Sequence, residues 1–228
     1  MRTFGLKTME FLVAASSAVF LMAANPPAST NAPAGVAELP IGAKAPDFKL
    51  IGTDDQVHAL ADLKGANGTL VVFTCNHCPF AIKYEDRIIA LAKEFQKKGI
   101  GVAAISCNDA QSYADDSFPN MKIRAKEKGF NFPYLYDESQ AVALEYGPMV
   151  TPHAFLFDST LTLVYRGRID DSAKETDVKK RDLLDALIAL TTGTKITVSE
   201  TVAFGCSIKW KPEVLEASKP EKSEKQGS

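Results

Sequence analysis

Two cysteines separated by two residues are the strongest candidates for chemistry in this sequence, which reads Thr74-Cys75-Asn76-His77-Cys78-Pro79. A short apolar run, 69–74, leads directly into Cys75, and a helix-like pattern begins after Cys78. At a helix N-terminus, unpaired N–H groups and the positive end of the helix dipole lower the pKa of a thiol below its free value of about 8.5. The spacing therefore predicts a redox dithiol in which Cys75 attacks a disulfide and Cys78 resolves the mixed disulfide.

The residue between the two cysteines adds a second chemical group. His77, when protonated, would favour the thiolate and make the disulfide a better oxidant. A closed zinc site would need further paired ligands, and Cys107 and Cys206 each stand alone in the sequence. A copper or zinc site on the dithiol, completed by His77 or His153, remains an alternative. Peroxidase chemistry is disfavoured, because Val72 stands three residues before Cys75 where a threonine is wanted.

The rest of the chain alternates between strand-like and helix-like patterns, which would place the dithiol where a strand meets a helix. The patterns predict strands at 69–74, 100–106, 153–157 and 161–166, and helices at 80–98, 118–128, 139–146 and 182–190. This order indicates a mixed sheet flanked by helices, an α/β sandwich.

The composition excludes several classes of protein. The chain has 228 residues, 46% of them hydrophobic and 24% charged, which is typical of a globular protein. Its net charge of -2 offers no basic surface for nucleic acid. No glycine-rich dinucleotide motif follows a strand, so we predict that the protein uses no nicotinamide or flavin cofactor.

The two ends of the chain differ from its centre. A short cationic start with Arg2 and Lys7 precedes an apolar run at 11–24, which predicts a signal peptide over residues 1–24, followed by a linker over 25–37. A buried helix or an uncleaved anchor is the alternative. We therefore expect a periplasmic or otherwise exported protein, with no stable membrane insertion after signal removal. Residues 218–228 are charged and predict a disordered tail.

A later motif complements the dithiol. Thr151-Pro152 precedes the predicted strand at 153, and together with the dithiol and its helix this resembles the thioredoxin superfamily. The resemblance implies that the peptide bond before Pro152 is cis and lies against the dithiol, and that the backbone of Thr151 pairs with an incoming peptide.

Other segments narrow the resemblance to the AhpC/TSA-redoxin branch and its peroxiredoxin-like thioredoxin family proteins. These segments are 48–50, 61–65, 75–79, 132–137, 164–171 and 205–211. The resemblance implies a three-layer α/β/α thioredoxin-like domain over 38–195, with a mixed central sheet and a C-terminal extension over 196–217. We expect Trp210, the single tryptophan, to hold that extension against the domain.

The remaining cysteines leave alternatives open. Cys107 follows a strand beside the one that leads to Cys75, so it is either an extra redox partner or a small buried apolar residue. A Cys107–Cys206 disulfide would complete the even count.

The predicted function is thiol–disulfide exchange with protein thiols or disulfides, and a separate redox partner protein resets the dithiol. The catalytic set is Cys75, Cys78, His77, Thr151 and Pro152. A peroxiredoxin-like thiol peroxidase and a Cu(I) carrier or assembly protein are the alternatives.

Overall fold

The computed structural model of this chain describes residues 32–218. The predicted signal peptide, the first part of the predicted linker and the tail beyond residue 218 lie outside the described residues.

Strands and helices alternate along the described chain. The strands are β1 (Lys49–Gly52), β2 (Val57–Ala59), β3 (Gly68–Phe73), β4 (Ile100–Ser106), β5 (Tyr134–Tyr136), β6 (Val150–Thr151), β7 (His153–Asp158), β8 (Leu163–Gly167) and β9 (Cys206–Ser207). The helices are α1 (Leu60–Leu63), α2 (Pro79–Phe95), α3 (Phe118–Lys128), α4 (Ala141–Tyr146), α5 (Asp182–Thr192) and α6 (Pro212–Ala217).

Seven of these strands form one mixed sheet in the order β2-β1-β5-β4-β3-β7-β8. The central strands β3, β4 and β5 are parallel, whereas β7 and β8 on one side and β1 and β2 on the other pair antiparallel. A separate two-stranded sheet joins β6 to β9. The parallel centre brings the C-terminal ends of β3 and β4 to the same edge, from which the dithiol loop and Cys107 follow.

The side chains of β3 alternate between two apolar layers. Leu70 and Val72 pack with α2, α3 and α5 on one face of the sheet. Val71 and Phe73 pack with α4 and the C-terminal extension on the other face. All four side chains are buried, as a central strand covered on both faces requires. The predicted three-layer α/β/α sandwich is confirmed.

The predicted elements agree closely with the observed ones, and the exceptions are short. The strand at 100–106 and the helix at 118–128 have the predicted bounds. Gly99, with φ of 78°, ends the segment that follows α2, because a left-handed residue stops a helix at low cost only when it lacks a Cβ. The sequence patterns did not predict β1, β2, β5, β6, β9, α1 or α6, which have two to six residues each.

A buried ionic cluster fixes α2 against the loop after β8. The Tyr84 hydroxyl donates to Asp170 Oδ1 at 2.9 Å, and the Arg87 guanidinium donates to the other oxygen of the same carboxylate. Arg87 also donates to the carbonyl of Ala173 at 2.7 Å. Because a buried carboxylate is costly without such partners, this cluster specifies the position of the helix that begins at the dithiol.

The C-terminal extension crosses the molecule from the β8 edge to the dithiol. Residues 199–201 pair with Arg166 of β8, and β9 then pairs with β6. Beyond β9, Ile208 and Trp210 are buried against the face that holds α4, which confirms the expected role of Trp210. Within residues 32–218, none of the helices has the length and apolar character needed to cross a bilayer.

Candidate functional site

The dithiol lies where β3 ends and α2 begins. Cys78 is the N-cap residue of α2, and its sulfur accepts the N–H of Ala81 at 3.5 Å. Pro79 follows at the first helical position, where its missing N–H leaves no bond unmade. Both cysteines are buried: Cys75 is 2% exposed and Cys78 is 0% exposed. The helix therefore offers an N–H group to the sulfur of Cys78, which water scarcely reaches.

The Thr-Pro motif lies directly against these sulfur atoms. The peptide bond between Thr151 and Pro152 is cis, which confirms what the resemblance implied. The Oγ1 atom of Thr151 is 3.2 Å from Cys75 Sγ, and its carbonyl oxygen is 3.3 Å from Cys78 Sγ. The structure thus brings together the five residues that the sequence predicted as the catalytic set.

A buried carboxylate that sequence reasoning missed fixes the loop between the two cysteines. Asp116 Oδ1 accepts the backbone N–H groups of Asn76 at 2.6 Å and His77 at 3.0 Å. Its Oδ2 accepts from the side chain of Asn108 at 2.9 Å and from His77 Nδ1. Asp116 is 40 residues from Asn76 along the chain, and in the sequence it is simply the second of two adjacent aspartates. No sequence signal therefore connected it to the dithiol.

Asp116 also fixes the orientation of His77. The carboxylate holds Nδ1, and the imidazole ring stacks on Tyr113 with centroids 4.7 Å apart. One ring nitrogen of His77, one Asp116 oxygen and Cys75 Sγ lie within 4.8 Å of one another, a set that could ligate a metal ion. However, both Asp116 oxygens already accept two N–H groups each, so metal binding there would first have to break these bonds. The geometry fits an anchored imidazole better than a metal ligand set.

The pKa values of the two thiols of the dithiol are shifted in opposite directions. The hydrogen bond from Cys75 lowers the pKa of Cys78, assisted by the Cys206 thiol, the Ala81 N–H and Thr151 and opposed by burial. That same bond, with burial and the Asp116 charge, raises the pKa of Cys75. The pair as a whole therefore loses its first proton readily at the helix N-terminus.

His153 follows the cis-proline and is buried in neutral form. Burial, followed by the charge of Arg166, lowers the pKa of His153 to about 3. Its Nδ1 accepts the N–H of Met149 at 3.3 Å, and its ring lies on Phe155 with centroids 4.6 Å apart. Its Nε2 makes no hydrogen bond to any described residue and lies 3.5 Å from a Glu38 carboxylate oxygen. These contacts assign His153 to the core, so the metal set that used it as a ligand gains no support.

We expect the buried His153 to make stability depend on pH. The unfolded chain binds a proton at this residue below pH 6.5, but the folded chain does so only near pH 3, so stability falls as pH falls through this window. In His153→Phe, the loss of unfolding free energy between pH 6.5 and 4 should be smaller, by up to about 1.4 kcal/mol per pH unit. Urea titrations at several pH values measure the slope, and equal slopes for variant and wild type would contradict this assignment.

The two remaining cysteines occupy different places, and all four thiols are free. Cys107 is buried in the apolar layer with Phe73 and Ile105, which agrees with the small apolar alternative. Cys206 instead packs against Cys75 and Cys78, so the structure does not support a Cys107–Cys206 disulfide. Cys206 is also the register partner of Thr151, which the resemblance implied would pair with an incoming peptide. In this structure β9 therefore occupies the backbone edge of Thr151 at which the peptide would pair.

Comparison with known proteins places this site in a family. The family model described as AhpC/TSA family matches residues 41–166, more than half of the chain. A solved structure of an uncharacterized conserved protein from Geobacillus kaustophilus is 41% identical, with a TM-score of 0.73 over 76% of this chain and 93% of that one. The sheet, the dithiol at the start of α2 and the cis-proline together form the thioredoxin-like fold that the sequence predicted.

Two curated relatives carry functional names. A 1-Cys peroxiredoxin of Onchocerca volvulus is 27% identical over 47% of this chain and 50% of its own length. The thiol-disulfide oxidoreductase ResA of Geobacillus thermodenitrificans is 26% identical over 52% of this chain and 63% of its own length. The chain therefore spans between half and two thirds of each relative's length.

Proposed function

The chain belongs to the AhpC/TSA family, and from this premise we propose that it is a thiol–disulfide oxidoreductase that acts on protein substrates through Cys75 and Cys78. The observation that carries the proposal is the pair of buried thiols at the N-terminus of α2, in contact with Thr151 next to a cis-proline. The family supports a redox enzyme, and the dithiol selects disulfide exchange.

The proposed cycle starts from the dithiol after one of its two protons has been lost. Cys75 passes its proton to Cys78 and attacks one sulfur of a substrate disulfide, which forms a mixed disulfide and releases the other substrate sulfur as a thiolate. Cys78 gives its proton to the released substrate thiolate and attacks the Cys75 sulfur, which frees the second substrate sulfur as a thiolate and leaves a Cys75–Cys78 disulfide. In the reverse direction, the same steps oxidise a substrate dithiol. A separate redox protein must restore the starting state.

Neighbouring groups support each step. Thr151 Oγ1 lies at hydrogen-bond distance from Cys75, so it can donate to the thiolate that forms there. The Ala81 N–H and the helix N-terminus stabilise the charge that appears on Cys78. Asp116 fixes the main chain between the two sulfurs, so that the attack requires little rearrangement.

The reduction potential of the Cys75–Cys78 pair tests the proposal. The protein would be equilibrated with glutathione buffers, and its disulfides would be mapped by mass spectrometry. A value between about -120 and -180 mV would identify an oxidant or isomerase, and one at or below about -270 mV a reductant. If the pair forms no disulfide at any glutathione ratio, the proposed function is wrong.

A thiol peroxidase is the second candidate, favoured by the AhpC/TSA match and the 1-Cys peroxiredoxin relative. Against it, the residue three before Cys75 is Val72, whose buried side chain packs under α2 and offers no hydroxyl. Peroxide consumption by the wild type with a thiol reductant, lost in Cys75→Ser, would favour the peroxidase. An absence of peroxide consumption by the wild type would eliminate it.

We further propose that the protein acts in an exported compartment. The support is the cationic start and the apolar run at 11–24, together with a mechanism that benefits from surroundings in which disulfides persist. N-terminal sequencing of the protein purified from its native cells tests this, because cleavage after Ala24 would give a chain that begins at Asn25.

A further inference from the structure

A third sulfur atom lies beside the dithiol and is unused in the cycle above. Cys206 packs against the cluster formed by Cys75, Cys78 and Ala81. Cys206 is half-buried, whereas Cys75 and Cys78 are 2% and 0% exposed. Cys206 therefore places a third, more exposed thiol beside the buried pair.

Backbone contacts fix this position. The register of the small sheet places Cys206 opposite Thr151, and the N–H of Ile208 donates to the carbonyl of Met149 at 3.4 Å. A Cβ on Gly205 would lie 2.0 Å from the carbonyl oxygen of Thr151, so only glycine permits this approach.

The segment after β9 is attached to the loop that contains Asn108. The N–H of Lys209 donates to Asn108 Oδ1 at 2.8 Å, and the N–H of Asp109 donates to the carbonyl of Lys209 at 2.8 Å. Because Asn108 also donates to Asp116, which holds the dithiol loop, the extension and the dithiol share one hydrogen-bonded support. This arrangement holds Cys206 at the dithiol.

We propose that Cys206 is a third redox-active cysteine, which receives the disulfide from the buried pair as a Cys78–Cys206 disulfide and presents it to the external redox partner. This inference rests on the proposed function, because it requires that Cys75 and Cys78 form a disulfide.

The step is an exchange that needs no further oxidant. The Cys206 thiolate attacks Cys78 Sγ of the Cys75–Cys78 disulfide, so the bond between Cys78 and Cys206 forms as the bond to Cys75 breaks. The electron pair of the broken bond leaves on Cys75, which becomes a thiolate, and the proton from Cys206 balances the new charge. A dithiol of the partner protein then attacks the half-buried Cys206 sulfur and reduces the disulfide.

Electrostatics favour this order of events. In the reduced protein, burial followed by the hydrogen bond and charge of Cys78 raises the pKa of Cys206 to about 11, which keeps this thiol protonated. When Cys78 is in a disulfide, its charge is gone, and the remaining charge effect is that of Lys209, which lowers the pKa of Cys206. Cys206 is therefore a better nucleophile after the dithiol has been oxidised.

The Cys75→Ser variant tests the proposal directly. Oxidised glutathione would first form a mixed disulfide on Cys78 or Cys206, and the other sulfur would then displace glutathione. We expect a protein 2 Da lighter than the reduced variant, with a Cys78–Cys206 link in its peptide map (two hydrogen atoms lost on closure, about 1 Da each). Cys75→Ser/Cys206→Ser should retain glutathione, and Cys75→Ser/Cys107→Ser should close like the parent variant.

The outcomes separate this proposal from the proposed function. If wild type forms the Cys75–Cys78 disulfide but Cys75→Ser keeps glutathione without closing, the role of Cys206 is wrong and the proposed function stands. If wild type forms no Cys75–Cys78 disulfide, the proposed function itself fails. Circular dichroism checks that each variant is folded. Peptide mapping of partly oxidised wild type provides a measurement without substitutions. If the Cys78–Cys206 link is absent both there and in Cys75→Ser, the proposal is overturned.

A second variant tests the geometry without removing a sulfur. Gly205→Ala places a methyl group against the Thr151 carbonyl, so β9 must move away from β6. In the Cys75→Ser background we expect closure of the Cys78–Cys206 disulfide to slow by at least about fivefold, since the sulfurs start further apart. Ser207→Ala, on the neighbouring residue of β9, should close at the parent rate. Equal rates for Gly205→Ala and its parent would contradict the assigned position of Cys206.

Discussion

Replacement of Cys75 by serine is expected to abolish disulfide exchange, with a loss of rate of about 10³-fold or more, because a hydroxyl does not attack a disulfide under these conditions. Serine nearly preserves the shape of the side chain and the contact with Thr151 Oγ1, so the fold should remain. The rate is measured as the reduction of oxidised glutathione or of the insulin disulfides in the presence of a thiol reductant.

Cys107→Ser is the matched control for this variant. Cys107 is as deeply buried as Cys75, but it packs in the apolar layer on the other face of the sheet. The buried serine hydroxyl should lower the unfolding free energy by about 1–3 kcal/mol, while the rate of exchange per folded molecule stays unchanged. Comparable loss of activity in both variants would show that Cys75 has no special role.

The Cys78→Ser variant distinguishes which cysteine attacks. If Cys75 attacks first, Cys78→Ser combined with Cys206→Ser should accumulate a stable mixed disulfide on Cys75, since both resolving sulfurs are absent. Peptide mapping after reaction with oxidised glutathione locates the adduct. An adduct that forms only on Cys78, in the converse Cys75→Ser/Cys206→Ser variant, would reverse the assigned order of attack.

Replacement of Asp116 by alanine is expected to have the largest effect on stability among the residues around the site. Its carboxylate accepts four N–H groups, two from the main chain of the dithiol loop and two from side chains. Alanine leaves these donors without an acceptor in a buried place, which should cost about 3–5 kcal/mol of unfolding free energy. The loop that separates Cys75 from Cys78 should also lose its fixed geometry, so the rate of exchange falls even where the protein is folded.

Asp115→Ala provides the control, because the neighbouring side chain is exposed and contributes to the site only through its main-chain carbonyl, which accepts from Asn76. Urea denaturation of both variants at pH 7 gives the two free energies. The unfolding free energy of Asp116→Asn should lie between those of the alanine variant and wild type. The asparagine keeps one oxygen as an acceptor, but its amide NH₂ group faces the donors that the second oxygen had accepted. Unfolding of Asp116→Ala at the same urea concentration as Asp115→Ala would refute the anchoring role.

The local patterns of the sequence were sufficient to predict most of the framework. The apolar run before Cys75 and the apolar period after Pro79 predicted β3 and α2, whose junction places the dithiol at a helix N-terminus. The bounds of β4 and α3 were predicted correctly because a left-handed glycine marks each of them. Gly99 ends the segment before β4, and Gly129 ends α3. These signals depend on neighbours within a few residues along the chain, so they are present in the sequence itself.

What the sequence determined by itself is therefore the dithiol, its place between β3 and α2, the cis-proline motif and the family. The tertiary structure alone decided which distant residues meet the dithiol: Asp116 from the loop after β4 and Cys206 from the C-terminal extension. It also decided that β9 pairs with the backbone edge of Thr151. The physical reason is that single acceptors and single thiols have no periodicity or spacing of their own, and their roles arise only from packing across long sequence separations.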